Sequence, residues 1–122
     1  MYEYNAIVTR VIDGGTFEAT VDLGFNVFTK ITFRLFGIDT PELHSTNEVE
    51  REKAKAAKER AIQLADGKDV LIKTYKPDKY GRWLAEFKVV NETTYIGTVN
   101  TQLVAEGRAK AYFGVGPKPI WS

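Results

Sequence analysis

The sequence contains no cysteine, a single histidine and a single methionine. Without cysteine the chain cannot form a disulfide, a thiolate metal site or a cysteine nucleophile. Any chemistry must therefore use oxygen ligands, lysine, arginine or the one histidine, His44. This histidine lies in a polar loop sequence, where a lone exposed imidazole usually has no catalytic function, so we assign it no role.

Long apolar runs and a strong net charge are also missing. The N-terminus has no basic-then-apolar signal pattern, and no apolar run approaches the roughly 18 residues that a membrane helix needs. We therefore expect a soluble chain without a membrane partner, cytoplasmic or of undetermined compartment unless a leader was removed. The net charge of +1 argues against a protein that coats nucleic acid by bulk charge alone, so any phosphate recognition must come from local clusters of charge.

The sequence contains enough apolar residues to form the core of one domain. Its 122 residues are 43% hydrophobic and 12% aromatic, which suffices for a real core. We expect a single domain over residues 1–122, acting as a monomer. Runs of β-branched and aromatic residues between turn sequences predict five strands, at residues 4–12, 16–23, 27–38, 69–75 and 83–90.

Two helices are predicted between and after these strands. Residues 47–66 are rich in Ala, Glu, Lys and Arg and are followed by Gly67, which is typical of a long helix and its C-terminal cap. Residues 98–106, followed by Gly107, predict a short one. The apolar stripe of the long helix consists of Ala54, Ala57, Ala61, Leu64 and Ala65. This order predicts an α+β, mainly β fold built on a small closed or nearly closed barrel.

The segment RLFGIDTPE at residues 34–42 places an arginine, two carboxylates and a proline turn within nine residues. Phosphodiester hydrolysis needs such cations and oxygen ligands to converge. By itself, however, the segment is better explained as a charged strand end, in which Asp39 and Thr40 bond the local backbone before Pro41.

Two further segments carry candidate groups. In DKYGR at residues 78–82, Arg82 is suited to grip a phosphate with two N–H groups, and Tyr80 to offer a hydroxyl or a stacking face. In IDGGT at residues 12–16, Asp13 is suited to reach a metal directly or through water. Taken alone, an ordinary hairpin loop and a plain glycine turn explain these segments better.

Taken together, the segments resemble the staphylococcal-nuclease-like family. The shared sequences are VIDGGT, FRLFGIDTPE, DKYGRWLA and a late LVAEGRA, in the same order and spacing over nearly the whole chain. The resemblance implies an OB-fold barrel and calcium-dependent cleavage of DNA and RNA. It also implies that Arg34 and Arg82 bind the scissile phosphate and that Glu42 is the general base for the attacking water.

The resemblance implies a calcium site that this chain does not fully match. Asp39 would be a direct calcium ligand beside the Thr40 carbonyl oxygen, with Asp13 just behind the metal. Members of the family read Asp-Gly-Asp-Thr where this chain reads Asp-Gly-Gly-Thr, so Gly15 replaces the second direct carboxylate. Calcium affinity follows the number of charged ligands, so the loss of this carboxylate is expected to weaken calcium binding.

The remaining implied roles concern the substrate, single-stranded DNA or RNA. Lys79 and Tyr80 would contact the terminal phosphate of the nucleotide, and Tyr112 would flank the base pocket. The family usually carries a third, C-terminal helix, which the sequence after Tyr112 predicts to be missing here.

Gly15 leaves two functions open. Either Asp13 shifts forward to bind the metal, or the enzyme is slow or needs much metal, or the chain keeps the binding surface and has lost the chemistry. The first two describe a divalent-metal-dependent nuclease, and the retained Arg34, Glu42 and Arg82 favour them. The third describes a catalytically inactive OB-fold module that binds nucleic acid or a protein.

Overall fold

The computed structural model of the chain describes residues 2–121. In that range the secondary structure runs in the order β1 (Tyr2–Asp13), β2 (Thr16–Asp22), β3 (Phe28–Leu35), β4 (Ile38–Asp39), α1 (Glu48–Ala65), β5 (Asp69–Pro77), β6 (Trp83–Val89), α2 (Val99–Ala105) and β7 (Lys110–Ala111). Neither of these helices has the length and apolar character of a membrane span.

Five strands close into a barrel with the neighbour order β1-β2-β3-β6-β5. The pairings are antiparallel except that between β3 and β6, where Phe33 lies opposite Trp83 and Leu35 opposite Ala85. This parallel pair brings the C-terminal end of β3 beside the start of β6. The predicted five-stranded OB-type barrel is confirmed.

Aromatic rings fill the interior of the barrel. Because side chains alternate between the two faces of a strand, each barrel strand sends every second residue inward. Phe87 makes edge-to-face contacts with Phe17 and Phe33, at ring-centroid distances of 5.0 and 5.6 Å, and all three are fully buried. Removing one such ring typically costs about 3–5 kcal/mol, so these contacts hold the strands that carry the functional residues.

Helix α1 packs closely on the turn between β1 and β2. Asn47 caps its N-terminus by accepting the backbone N–H of Glu50. A Cβ added at Gly14 would lie 3.0 Å from the Cβ of Ala57, so this close approach needs small residues on both sides. The predicted stripe is confirmed, since its five members are all buried: Ala54, Ala57, Ala61, Leu64 and Ala65.

Helix α2 is tied to the barrel by Asn100, a residue that the sequence patterns did not single out. Its buried side-chain amide donates to the carbonyl oxygens of Phe36 at 2.9 Å and Ala85 at 3.0 Å. Its oxygen accepts the backbone N–H of Phe87 at 3.1 Å. Asn100 thus fixes the chain just beyond β3 against β6.

The third strand ends earlier than its sequence pattern predicts. The expectation of one strand over residues 27–38 is wrong at its C-terminal end, because Gly37 adopts a positive φ of 79° and turns the chain after Leu35. The chain then forms β4, which pairs with β7 so that Asp39 lies opposite Lys110. This turn carries Asp39 off the barrel wall and toward the C-terminal segment.

Residues 106–121 contain β7 and turns but no helix. Over the described range, therefore, the predicted absence of a third helix is confirmed.

Candidate functional site

A cleft of about 510 Å³ opens between the end of β3, the β5–β6 loop and the segment after β7. Six of the predicted functional residues line it: Arg34, Asp39, Lys79, Tyr80, Arg82 and Tyr112. Three other predicted residues, Asp13, Thr40 and Glu42, are not part of its lining. Five basic and two acidic side chains line the cleft, so it is locally positive although the whole chain is almost neutral.

Arg34 lies at the back of this cleft, near the C-terminal end of β3. Its side chain is only 16% exposed. Nη1 donates to the Thr16 hydroxyl at 3.3 Å and lies 3.7 Å from Oδ1 of Asp13, while Nη2 lies 3.8 Å from Oδ1 of Asp39. The guanidinium therefore stands between two carboxylates, one from β1 and one from β4.

Asp39 is buried and is held from both sides. Its Oδ1 faces Arg34, and its Oδ2 accepts the indole N–H of Trp121 at 3.0 Å. The Trp121 ring lies under the ammonium group of Lys110, at 4.6 Å from its centroid. The sequence patterns did not predict Trp121 as a functional residue, and it comes from 82 positions further along the chain.

Gly15 adjoins the Arg34 guanidinium directly. A Cβ at this position would lie 2.0 Å from Nη1 of Arg34 and 2.9 Å from Oγ1 of Thr40. The backbone N–H of Gly15 donates to Oδ1 of Asp13 at 2.8 Å, which holds that carboxylate against the turn. Arg34 thus lies in the space that any side chain at position 15 would enter.

This arrangement does not fit a calcium ion. Calcium takes six to eight oxygen ligands, several of them carboxylate. Within residues 2–121, no three acidic or imidazole side chains converge closely enough to hold a metal ion. The carboxylates of Asp13 and Asp39 both lie near Arg34 instead.

Arg82 is positioned by Asp78 at the start of the same loop. Oδ1 of Asp78 accepts the backbone N–H groups of Tyr80 at 2.8 Å and Arg82 at 3.0 Å, and Oδ2 accepts Nε of Arg82 at 3.0 Å. Burial raises the pKa of the Asp78 carboxyl, but these N–H groups and the charge of Arg82 outweigh burial and hold the pKa below its ordinary value. The Asp78 carboxylate therefore orders the loop and aims Arg82.

Tyr80 and Lys79 lie at the outer edge of the cleft. Tyr80 is 72% exposed, and the Lys79 ammonium lies 5.2 Å from the centroid of its ring. Arg82 approaches the same ring, with Cζ at 5.4 Å from the centroid. An exposed ring next to two cations is suited to stack on a base while the cations contact phosphate.

Glu42 lies beside the cleft, with its carboxylate directed to solvent. Its side chain is 65% exposed, and its Oε1 lies 3.9 Å from Nζ of Lys118. Its backbone N–H donates to Oε2 of Glu50 at 2.9 Å, which ties the loop to the first turn of α1. Lys118 lines the cleft and was not predicted, because no local motif marks it.

Tyr112 closes the opposite wall of the cleft. Its backbone N–H donates to the Gly37 carbonyl at 2.9 Å, and its hydroxyl donates to the Gly116 carbonyl at 3.0 Å. Next to it, Phe113 contacts the ring of Phe36, which stacks on Tyr75 at a centroid distance of 4.0 Å. The hydrogen bond to Glu86 and burial raise the pKa of Tyr75 to about 12.

The chain is similar in sequence to known proteins. A sequence model described as "Staphylococcal nuclease homologue" matches residues 32–119, a range that includes Arg34 and Arg82. The chain is 30% identical over 119 residues to "Endonuclease YhcR" of Bacillus subtilis (strain 168), covering 91% of this chain and 9% of that protein. It is also 30% identical over 129 residues to "Uncharacterized protein MJ1439" of Methanocaldococcus jannaschii, covering 89% of this chain and 59% of that protein.

The chain thus spans less than two thirds of the length of either relative. The family match covers well over half of this chain and contains the two segments that carry the cleft's arginines. The chain therefore belongs to the staphylococcal nuclease homologue family.

Proposed function

We propose that this chain is a nuclease that binds single-stranded DNA or RNA in the cleft and hydrolyses a phosphodiester bond there. The observation that carries the proposal is that two arginines, Arg34 of β3 and Arg82 of the β5–β6 loop, line one cleft. Each is aimed by carboxylates, Arg34 by Asp13 and Asp39 and Arg82 by Asp78. Membership of the family and the name of the Bacillus relative support the same activity.

Arg34 keeps most of its hydrogen-bonding capacity for a substrate. A guanidinium carries five N–H donors, and a charge-assisted hydrogen bond is about 2.7–2.9 Å long. The distances of 3.7 and 3.8 Å to Asp13 and Asp39 are longer than that, so these carboxylates orient Arg34 without taking up its donors fully. A phosphate entering the cleft can accept N–H groups of Arg34 while Arg82 approaches from the β5–β6 loop.

In the proposed reaction the protein acts on a water molecule and on the charge of the phosphate. The water oxygen bonds to phosphorus as the bond to the leaving sugar oxygen breaks, and that oxygen gains a proton from solvent. Glu42 accepts the proton of the attacking water. The negative charge that grows on the phosphate oxygens is stabilised by Arg34 and Arg82.

The outer cleft is suited to the neighbouring nucleotides. Lys79 and Tyr80 contact the terminal phosphate of the nucleotide, and Tyr112 flanks the base. Lys118 adds a further cation on this side. Single-stranded substrates are favoured because stacking on an exposed ring such as Tyr80 requires an unpaired base.

The metal requirement stays a prediction. The family is generally calcium-dependent, and Asp39, the Thr40 carbonyl and Asp13 are the residues that the resemblance assigns to calcium. In the present arrangement these groups do not fit a calcium ion. The proposed reaction therefore has no step that depends on calcium.

A second candidate function is a catalytically inactive binding module. Gly15 favours it, because a nuclease that had lost a metal ligand would still present the basic cleft. The two candidates differ in product formation: both bind nucleic acid with salt-sensitive affinity, but only the nuclease shortens it.

The test is cleavage of end-labelled single-stranded DNA and RNA oligonucleotides, in calcium, in magnesium, in manganese and in chelator, with products resolved by length. We expect shortened products in at least one of these media. Arg10, an exposed residue of β1 that does not line the cleft, provides the control Arg10→Ala, which should cleave like the unmodified chain. Intact oligonucleotide in every medium, together with salt-sensitive binding, would favour the binding module.

A further inference from the structure

The replacement at position 15 and the position of Arg34 are physically linked. A side chain at position 15 would begin 2.0 Å from Nη1 and 2.8 Å from Cζ of Arg34, which is closer than non-bonded atoms approach. A carboxylate there and the present position of the guanidinium are therefore mutually exclusive. Gly15 is the residue that lets Arg34 enter the space between Asp13 and Asp39.

In that space Arg34 is the positive partner of both carboxylates. A carboxylate as buried as Asp39 needs a positive partner or hydrogen-bond donors nearby. Asp39 has Arg34 on Oδ1 and the Trp121 N–H on Oδ2, and Asp13 has the Gly15 N–H and Arg34. The Arg34 guanidinium thus offsets one of the pair's two negative charges, and the two N–H groups donate to the carboxylates as well.

We infer that the Arg34 guanidinium acts as the resident cation of the carboxylate pair and that the cleft holds a phosphate of single-stranded nucleic acid without a divalent metal. The inference rests on the proposed function for the identity of its ligand. It concerns how that ligand is held.

The charges lining the cleft are sufficient for this role. Besides Arg34 and Arg82, three lysines line it, Lys76, Lys79 and Lys118, against the carboxylates of Asp39 and Asp78. Asp78 is itself paired with Arg82, at 2.9 Å between Oδ2 and Nη2. The lining therefore keeps an excess of positive charge, which attracts a phosphate without a bridging metal.

The first test compares binding of a fluorescent phosphorothioate oligodeoxythymidine, which resists cleavage, in excess calcium and in excess chelator at equal ionic strength. We expect the two dissociation constants to agree within about threefold. If a bridging ion were required, the dissociation constant in chelator would be much larger than that in calcium. Tightening by more than about threefold in calcium would overturn the inference and leave the proposed nuclease intact. Absence of binding in both media would contradict the proposed function as well.

The second test measures metal binding directly, by terbium luminescence excited through tryptophan. Terbium prefers oxygen ligands as calcium does, and Trp121 contacts Asp39, so an ion at this carboxylate is close to the indole. After subtraction of the signal of Trp121→Phe, the unmodified chain should need at least about tenfold more terbium for half-saturation than Arg34→Gln, which frees the carboxylates. A smaller difference would overturn the inference. Circular dichroism establishes that the variants are folded, and the first test needs no variant.

Discussion

Gly15→Asp is expected to make this chain bind calcium and cleave nucleic acid in a calcium-dependent manner. The new side chain would displace the end of Arg34, which is flexible, from between Asp13 and Asp39. It would also add a third carboxylate beside Thr40, and calcium affinity rises with the charge of the ligand set. We expect kcat/KM in calcium to exceed kcat/KM in chelator by on the order of 10²-fold. This is the typical rate effect of one preorganised group that stabilises the charge of the transition state.

The matched control is Gly15→Asn. Asparagine has nearly the same shape and displaces Arg34 equally, but adds no charge to the ligand set. Its cleavage should stay at or below that of the unmodified chain in both media. If Gly15→Asp gave the same rate with calcium and with chelator, or if Gly15→Asn gained calcium dependence equally, the link between position 15 and the cation would be wrong.

Arg82→Ala is expected to reduce kcat/KM by on the order of 10²–10³-fold, because the transition state loses one of the two guanidinium groups that stabilise its charge. The loop should remain ordered, since Oδ1 of Asp78 still accepts the backbone N–H groups of Tyr80 and residue 82. Binding of an uncleavable oligonucleotide should weaken much less than kcat/KM falls, because Lys79, Lys118 and Arg34 still attract the phosphates.

Two further variants serve as controls for Arg82→Ala. Arg82→Lys keeps the charge but loses the planar donor pair, so it should recover only a small part of the rate. Arg10→Ala should leave kcat/KM unchanged. Retention of most of the activity in Arg82→Ala, with its fold intact by circular dichroism, would remove Arg82 from the reaction and with it the main argument for a shared phosphate.

Local sequence patterns predicted the parts of the molecule that depend on neighbouring residues. The strand alternation, the alanine stripe of α1 and the glycine turns each follow from short-range periodicity and backbone geometry. Arg34 and Arg82 were placed in one cleft by resemblance to a family, and the parallel pairing of β3 with β6 gives the physical reason for their proximity.

The parts that sequence patterns missed depend on contacts between distant segments. Trp121 reaches Asp39 across 82 positions, and Asn100 reaches Phe36 across 64, so neither has a local signature. The early end of β3 is different, because the strand pattern continues through Phe36 to Ile38. The positive φ at Gly37 breaks the strand there, although the glycine itself was visible in the sequence.

Arginine side-chain NMR measures directly whether the guanidinium groups of Arg34 and Arg82 share one phosphate. In a titration with the uncleavable oligodeoxythymidine, the Nε–H signals of Arg34 and Arg82 should shift together and saturate at the same ligand concentration, while the signal of Arg10 stays in place. A shift of Arg82 without Arg34, or saturation of the two at different concentrations, would contradict the account.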